Sequence, residues 1–326
     1  MSDQPVFILG VPRSGTTLLR IVLDSHPLIT GLPETPWLLG SYETGAATSL
    51  RQFVEAVGEN RFGLVKNVPH TERGDVVAAG RAFIETLLAP YRARTGKTKI
   101  VFKTPGDIRY LEFLLELFPH AQYIHICRDG RDVANSLMSH KGTIFEDLGD
   151  FGRVSFLNGF RRWYLWESKI RDLLGRAKID HLSLRYEDFV ANPEIDCRRL
   201  CEFLGVPFDE RMLRYNEIEH NYPSWEAGSK DVKSKSGISR GSVSKWRSEK
   251  PSIEILYTLR RYKEYLTALG YSPVDAHPAF LRSVAIFLFP LYHAALEWLI
   301  RSKRKLRRTA QAVKQIFAGA KRALGS

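Results

Sequence analysis

The chain has 326 residues, 44% of them apolar and 26% charged. That balance excludes pervasive disorder and a disulfide-built mini-protein, and the length allows one large domain or two modest ones. The net charge is +12 at pH 7, but nine Lys or Arg and no acid fall in residues 301–326, which leaves +3 on residues 1–300. The basicity therefore belongs to the tail and is weak ground for a basic substrate groove.

Short apolar strands alternate with helices along the chain, which predicts an α/β fold with a mainly parallel sheet flanked by helices. Val6 to Leu9 is an all-apolar strand. A Gly-bounded turn follows, then a helix from about Thr16 to Ser25 that His26-Pro27 stops. Leu28 to Gly31 fits a second short strand. Residues 40–97 read as mostly helical. Lys99 to Phe102 is a strand, Ile108 to Leu117 a helix, Gln122 to Cys127 a buried strand and Asp132 to His140 a helix. Phe156 to Leu174 is a longer helix rich in aromatics, in which Trp163, Tyr164 and Trp166 read as core. Ile179 to Leu184 is a strand and Glu194 to Leu204 a helix. Residues 228–250, rich in Ser and Lys, fit a lid. Ile253 to Leu269 is helical and closed by Gly270. The pattern divides the chain into a domain over 1–275 and a C-terminal apolar and basic helical tail over 276–326.

Cys127, Cys197 and Cys201 are too few and too unevenly spaced for a disulfide framework, and they read as structural thiols. The nine histidines show no metal-ligand spacing, so no metal is expected. The start MSDQPVFILG lacks the basic segment and long apolar run of a signal peptide, which predicts a cytoplasmic setting.

The strongest feature is Gly10-Val-Pro-Arg-Ser-Gly15-Thr16-Thr17, between a buried strand and a helix. In that context backbone N–H groups can surround phosphate oxygens, and the helix N-terminus adds positive potential. The spacing matches a Walker A loop, yet Thr16 stands where the lysine that reaches the β and γ phosphates belongs. The cation is instead Arg13, inside the loop. This argues against ATP or GTP hydrolysis and suits a single phosphate with one further anionic group.

The block GVPRSGTTLLRIVLDSHP resembles the 5′-phosphosulfate loop of sulfotransferases that use 3′-phosphoadenosine 5′-phosphosulfate (PAPS). The likeness is to the protein-tyrosine sulfotransferase branch and its surroundings, and it covers about residues 5 to 273. Many other members of the family carry Lys where Arg13 stands. The resemblance implies a P-loop-type parallel sheet (the sulfotransferase fold), a PAPS co-substrate, no metal, and a hydroxyl-bearing acceptor. It also implies roles for individual residues. Arg13, Ser14, Gly15, Thr16 and Thr17 would hold the phosphosulfate. Arg128 and Ser136 would bind the 3′-phosphate, with Asp129 and Arg131 shaping the turn. Lys103 would meet the bridging oxygen of the donor. The cytosolic branch reads Lys-Thr-His here, with His as base, whereas this chain reads Lys103-Thr104-Pro105, so the base lies elsewhere. In the tyrosine-sulfating branch it is a glutamate at the spacing of Glu34. Tyr186 would flank the adenine. Ser239, Arg240 and Gly241, and less firmly Lys245, would close over the 3′-phosphate in a loose G-x4-W match that ends at Trp246. His140 stands where the tyrosine-sulfating enzymes carry arginine, a departure that leaves the acceptor open between tyrosine, sugar and lipid hydroxyls.

The apolar stretch 279–300 is interrupted by Arg282, Pro290, His293 and Glu297, and six of residues 301–308 are Lys or Arg. An apolar stripe with more basic residues follows. The expectation is attachment to an anionic membrane surface through 279–326, on the inner face of a membrane, against packing on the domain or a partner, or a true span. Nucleic acid is not expected, and the oligomeric state is not legible. The rival readings are a P-loop kinase or NTPase and a non-catalytic, nucleotide-binding, membrane-docking protein.

Overall fold

The structure is a computed structural model that describes residues 4–40, 49–59, 63–139, 155–176, 179–220, 237–248, 252–272, 287–291 and 294. Two compact units divide the chain. The first comprises Met1–Val133 and Trp163–Lys245, and the second Ala134–Arg162 and Trp246–Ser326.

The first unit is built on five parallel strands, β1 (Val6–Leu9), β2 (Ile29–Gly31), β3 (Lys99–Phe102), β4 (Gln122–Cys127) and β5 (His181–Arg185), in the order β2-β3-β1-β4-β5. β1 pairs with β3 on one side and β4 on the other, so its four apolar residues are buried on both faces. That is the reason it reads as a continuous apolar run rather than an alternation. The helices follow in chain order as α1 (Thr16–Asp24), α2 (Pro36–Leu39), α3 (Leu50–Glu59), α4 (Leu64–Asn67), α5 (Arg73–Thr95), α6 (Leu111–Leu117), α7 (Gly130–Ser139), α8 (Phe156–Arg176), α9 (Tyr186–Ala191), α10 (Pro193–Leu204), α11 (Ile253–Arg261) and α12 (Lys263–Ala268).

Side-chain alternation in the strands makes two cores. Val6, Ile8, Val101, Ile124 and Ile126 face Leu19 and Val22 of α1 and Leu200 and Leu204 of α10. Phe7, Leu9, Ile100, Phe102 and Tyr123 face Ile84 and Leu88 of α5, Leu114 of α6 and Ile170 of α8. Burying each such side chain stabilises the fold by about 1.5–3 kcal/mol. The three cysteines are buried and form no disulfide among the described residues. Burial pushes the Cys197 thiol up to about 12 and the Cys201 thiol up to about 11, which makes them inert packing groups.

Two expectations meet a different local structure. The helix expected over 108–117 starts as a 3-10 turn, Pro105–Tyr110, before α6. The helix expected over 253–269 is broken at Tyr262 (φ −109°, ψ 18°) into α11 and α12. In the second unit Phe160 packs against Tyr262 in a tilted pair with ring centroids 5.0 Å apart. The Leu157 N–H also donates to Glu254 at 3.0 Å. His140, the first part of the lid and nearly all of the tail lie outside the described residues. Within the tail, Phe287, Leu288 and Leu291 are exposed. Among the described residues no helix is long and apolar enough to cross a membrane.

Candidate functional site

All five strands are parallel, so their carboxyl ends lie along one edge, where ligands of open α/β sheets bind. Past β1 comes the Gly10–Thr17 loop. A side chain at Gly10 would meet Thr16 Cγ2 at 2.8 Å and Ile126 O at 2.9 Å. Gly15 has φ +93°, and its absent Cβ leaves the room filled by the Tyr186 ring, which a Cβ would approach to 2.4 Å. Arg13 also takes a left-handed backbone, φ +75°, and its side chain is exposed. Ser14 is fully buried, and its Oγ has no hydrogen-bond partner among the described residues. α1 opens with no side-chain cap and no acid in its first turn. Its leading N–H groups and positive end are thus available to an anion. An uncapped helix start beside a buried, unused hydroxyl fits a bound phosphate group.

Past β3, Lys103 is wholly buried. Its Nζ donates to Glu34 Oε1 at 2.7 Å and to Thr17 Oγ1 at 3.5 Å. Glu34 reaches it from the loop after β2, the strand paired with β3. The lysine thus joins the phosphate loop to the carboxylate. Behind this pair the Thr35 N–H donates to Thr104 Oγ1 at 2.9 Å, and the two hydroxyls lie 3.3 Å apart.

Past β4, Arg128 is bound by carbonyls. Nη1 donates to Arg13 O at 2.9 Å and Nη2 to Ser242 O at 2.6 Å. Its guanidinium lies 4.5 Å over the Tyr186 ring, while its buried Nε makes no hydrogen bond to the described residues. Asp129 and Arg131 form a local ion pair at 2.7 Å that shapes the turn. Tyr186, the first residue of α9, is 5% exposed and packs into the core that α1 shares.

Two groups escaped the sequence reading. Glu187 accepts the Asp129 N–H at 2.8 Å, and burial raises its carboxyl above the ordinary range, assisted by the charge of Asp129. Ser242 supplies the carbonyl that holds Arg128. The signal for Glu187 was its place beside Tyr186; nothing in the sequence singles out Ser242.

The lid residues Ser239, Arg240, Gly241 and Lys245 are exposed. Arg240 donates to Ala191 O at 3.1 Å, and the Ser244 N–H donates to Asp132 at 2.7 Å. The structure therefore gathers Arg13, Ser14, Gly15, Thr16, Thr17, Glu34, Lys103, Arg128 and Tyr186 at one edge of the first unit. Ser136 is half-buried on α7, in the second unit.

The family model of the sulfotransferase family matches residues 5–210. This chain belongs to the sulfotransferase family. It is similar to protein-tyrosine sulfotransferase A of Caenorhabditis elegans, 29% identical over 84% of this chain and 68% of that one. It is also similar to protein-tyrosine sulfotransferase 1 of Danio rerio, 30% identical over 66% of this chain and 57% of that one. The chain thus spans between about half and two-thirds of the length of these relatives. A sulfotransferase domain from the curacin biosynthetic pathway shares the fold, with a TM-score of 0.55 at 20% identity, over 82% of this chain and 98% of that one. The matches place it in the tyrosine-sulfotransferase-like branch of that family. The cytoplasmic location expected from the N-terminal sequence is corrected by these matches. The relatives are protein-tyrosine sulfotransferases, which reside in Golgi membranes rather than the cytoplasm.

Proposed function

We propose that the chain moves a sulfuryl group from PAPS to an acceptor hydroxyl, with Glu34 as general base. One observation carries the reading: buried Lys103 touches both the loop hydroxyl of Thr17 and the carboxylate of Glu34. PAPS supplies an activated sulfuryl group on a phosphate leaving group. The unspent N–H groups at the start of α1, Ser14 Oγ, Thr16, Thr17 and Arg13 suit its phosphosulfate. Arg128, whose Nε makes no hydrogen bond to the described residues, suits the 3′-phosphate together with the lid residues Ser239, Arg240, Gly241 and Lys245. Tyr186 supports the adenine side through its packing on Gly15.

With the donor in place, Lys103 exchanges Glu34 for the bridging oxygen. The freed carboxylate faces the acceptor. As the acceptor oxygen bonds to sulfur, its proton passes to Glu34. The sulfur–oxygen bond to the phosphate breaks, and its electron pair stays on the bridging oxygen. Lys103 and the loop N–H groups offset the charge that develops there. Adenosine 3′,5′-bisphosphate is the other product.

The acceptor is a hydroxyl of tyrosine, sugar or lipid. The basic and apolar sequence at 279–326 supports one presented at an anionic membrane surface. The test is transfer of radiolabel from PAPS to a tyrosine peptide, an oligosaccharide and a glycolipid in vesicles. Label on any acceptor, lost in Lys103→Ala, is the expected result. Absence of transfer to all three acceptor classes by a protein that binds the bisphosphate would overturn it.

A further inference from the structure

The loops after β2 and β3 end in the same way. Each runs charged residue, threonine, proline: Glu34-Thr35-Pro36 and Lys103-Thr104-Pro105. Each threonine is the N-cap of the turn that follows, α2 in one case and the 3-10 turn Pro105–Tyr110 in the other. An N-cap threonine ordinarily turns its hydroxyl onto the N–H groups of its own helix. Neither does so here, since neither makes a side-chain cap bond. The hydroxyls instead face each other at 3.3 Å, and Thr104 Oγ1 also accepts the Thr35 N–H at 2.9 Å. Both residues are buried, at 5% and 4% exposure.

The parallel pairing of β2 with β3 ends at Gly31 opposite Val101, and Leu32 N–H to Val101 O adds one more rung. Beyond that rung the strands have separated into loops. The two threonines rejoin them one residue past the Glu34–Lys103 contact. The prolines set φ at the next position of each loop and add no competing N–H. The Thr104 carbonyl accepts Asp107 N–H at 2.9 Å and the Thr35 carbonyl accepts Leu38 N–H at 3.0 Å, so both backbones are held from the far side as well.

We propose that Thr35 and Thr104 are positioning residues of the transfer reaction. Their cross-link keeps the Glu34 and Lys103 backbones at a fixed separation while the lysine exchanges the carboxylate for the donor. The inference rests on the reading of Glu34 as the base. Neither threonine touches a reacting atom; they act through the two residues that precede them. Misplacing a reacting group by about 1 Å costs on the order of 100-fold in rate. The effect should therefore fall on kcat and leave nucleotide binding alone.

The experiment compares Thr104→Val, Thr104→Ser, Thr35→Val and Glu34→Gln in turnover with PAPS and in calorimetric binding of adenosine 3′,5′-bisphosphate. Thr104→Val keeps the shape but loses the acceptor for the Thr35 N–H. Its kcat should fall about 10- to 100-fold, with the bisphosphate Kd within about 3-fold of wild type. Thr104→Ser restores the acceptor and should recover most of the rate. Thr35→Val keeps the amide bond, loses only the hydroxyl contact, and should lie between. It carries the test if Thr104→Val no longer binds the bisphosphate. A wild-type kcat in Thr104→Val, or in Thr35→Val should the former not fold, overturns the positioning role. An equal loss in Thr104→Ser and Thr104→Val overturns it too. Each of these results leaves the base reading intact provided Glu34→Gln is inactive. An active Glu34→Gln instead removes the base reading, and the positioning role falls with it.

Discussion

Lys103, just past β3, is met by the carboxylate of Glu34, whereas Arg128, just past β4, is met by two main-chain carbonyls. The two cations lie along one sheet edge and are both buried, yet they are kept in different electrical states. The lysine sits in a charge-neutral pair, so an arriving anion must displace a carboxylate, and the displaced carboxylate becomes available to take a proton. The guanidinium spends its terminal nitrogens on neutral oxygens and keeps its formal charge. It fixes Arg13 in its left-handed conformation and holds the lid at Ser242 without surrendering its attraction for an anion. On the proposed reading, one end of the edge serves exchange during the reaction and the other steady retention of the nucleotide.

Substitutions at the two ends should separate cleanly. Glu34→Gln keeps a partner for Lys103 but cannot take the proton. Its turnover should drop by about 100- to 10,000-fold, with bisphosphate affinity little changed. Arg128→Ala should do the reverse. Losing hydrogen bonds from a charged donor, about 1.5–3 kcal/mol, weakens bisphosphate binding roughly 10- to 100-fold in calorimetry. If both substitutions damaged binding equally, the division into an exchanging end and a retaining end would be broken.

Gly15→Ala probes the contact that couples the loop to Tyr186. A residue with a Cβ in the left-handed region costs about 1–2 kcal/mol, and the 2.4 Å approach to the ring adds to it. A lowered melting temperature with weakened bisphosphate binding is expected. The smallest effect concerns a buried carboxylate that bridges β4 and α8. His125 on β4 and Arg171 on α8 both bond the fully buried Glu167, at 3.2 and 2.6 Å. Burial alone would raise this carboxyl, but His125 and Arg171 hold it down to about 2. A depressed carboxyl contributes stability that is complete above its unfolded value of 4.5 and is lost as the pH falls towards 2. Denaturant unfolding of Glu167→Gln should therefore show a flatter decline of stability across that acid window than the wild type.

Much of this edge was legible from residue order. The bounds of β1 follow from an unbroken apolar run and those of β3 and β4 from largely apolar ones, each ending in a charged or glycine-bearing turn, and Arg13, Lys103 and Arg128 were found because each follows such a run. α9 was hidden because its six residues begin directly on β5 with no intervening turn signal. The break at Tyr262 carries neither glycine nor proline to announce it. The Thr35–Thr104 contact depends on β2 pairing with β3, a register that no local spacing encodes. The repeated charged-Thr-Pro pattern was the one available sign. Ser242 could not have been found, since it acts through its backbone carbonyl.

The measurement that bears most directly on the account is calorimetry of the whole chain with adenosine 3′,5′-bisphosphate, AMP and ATP, each without and with Mg²⁺. The account predicts tight binding of the bisphosphate that is independent of metal, with AMP much weaker. Preference for Mg-ATP over the bisphosphate would contradict it and favour a P-loop kinase.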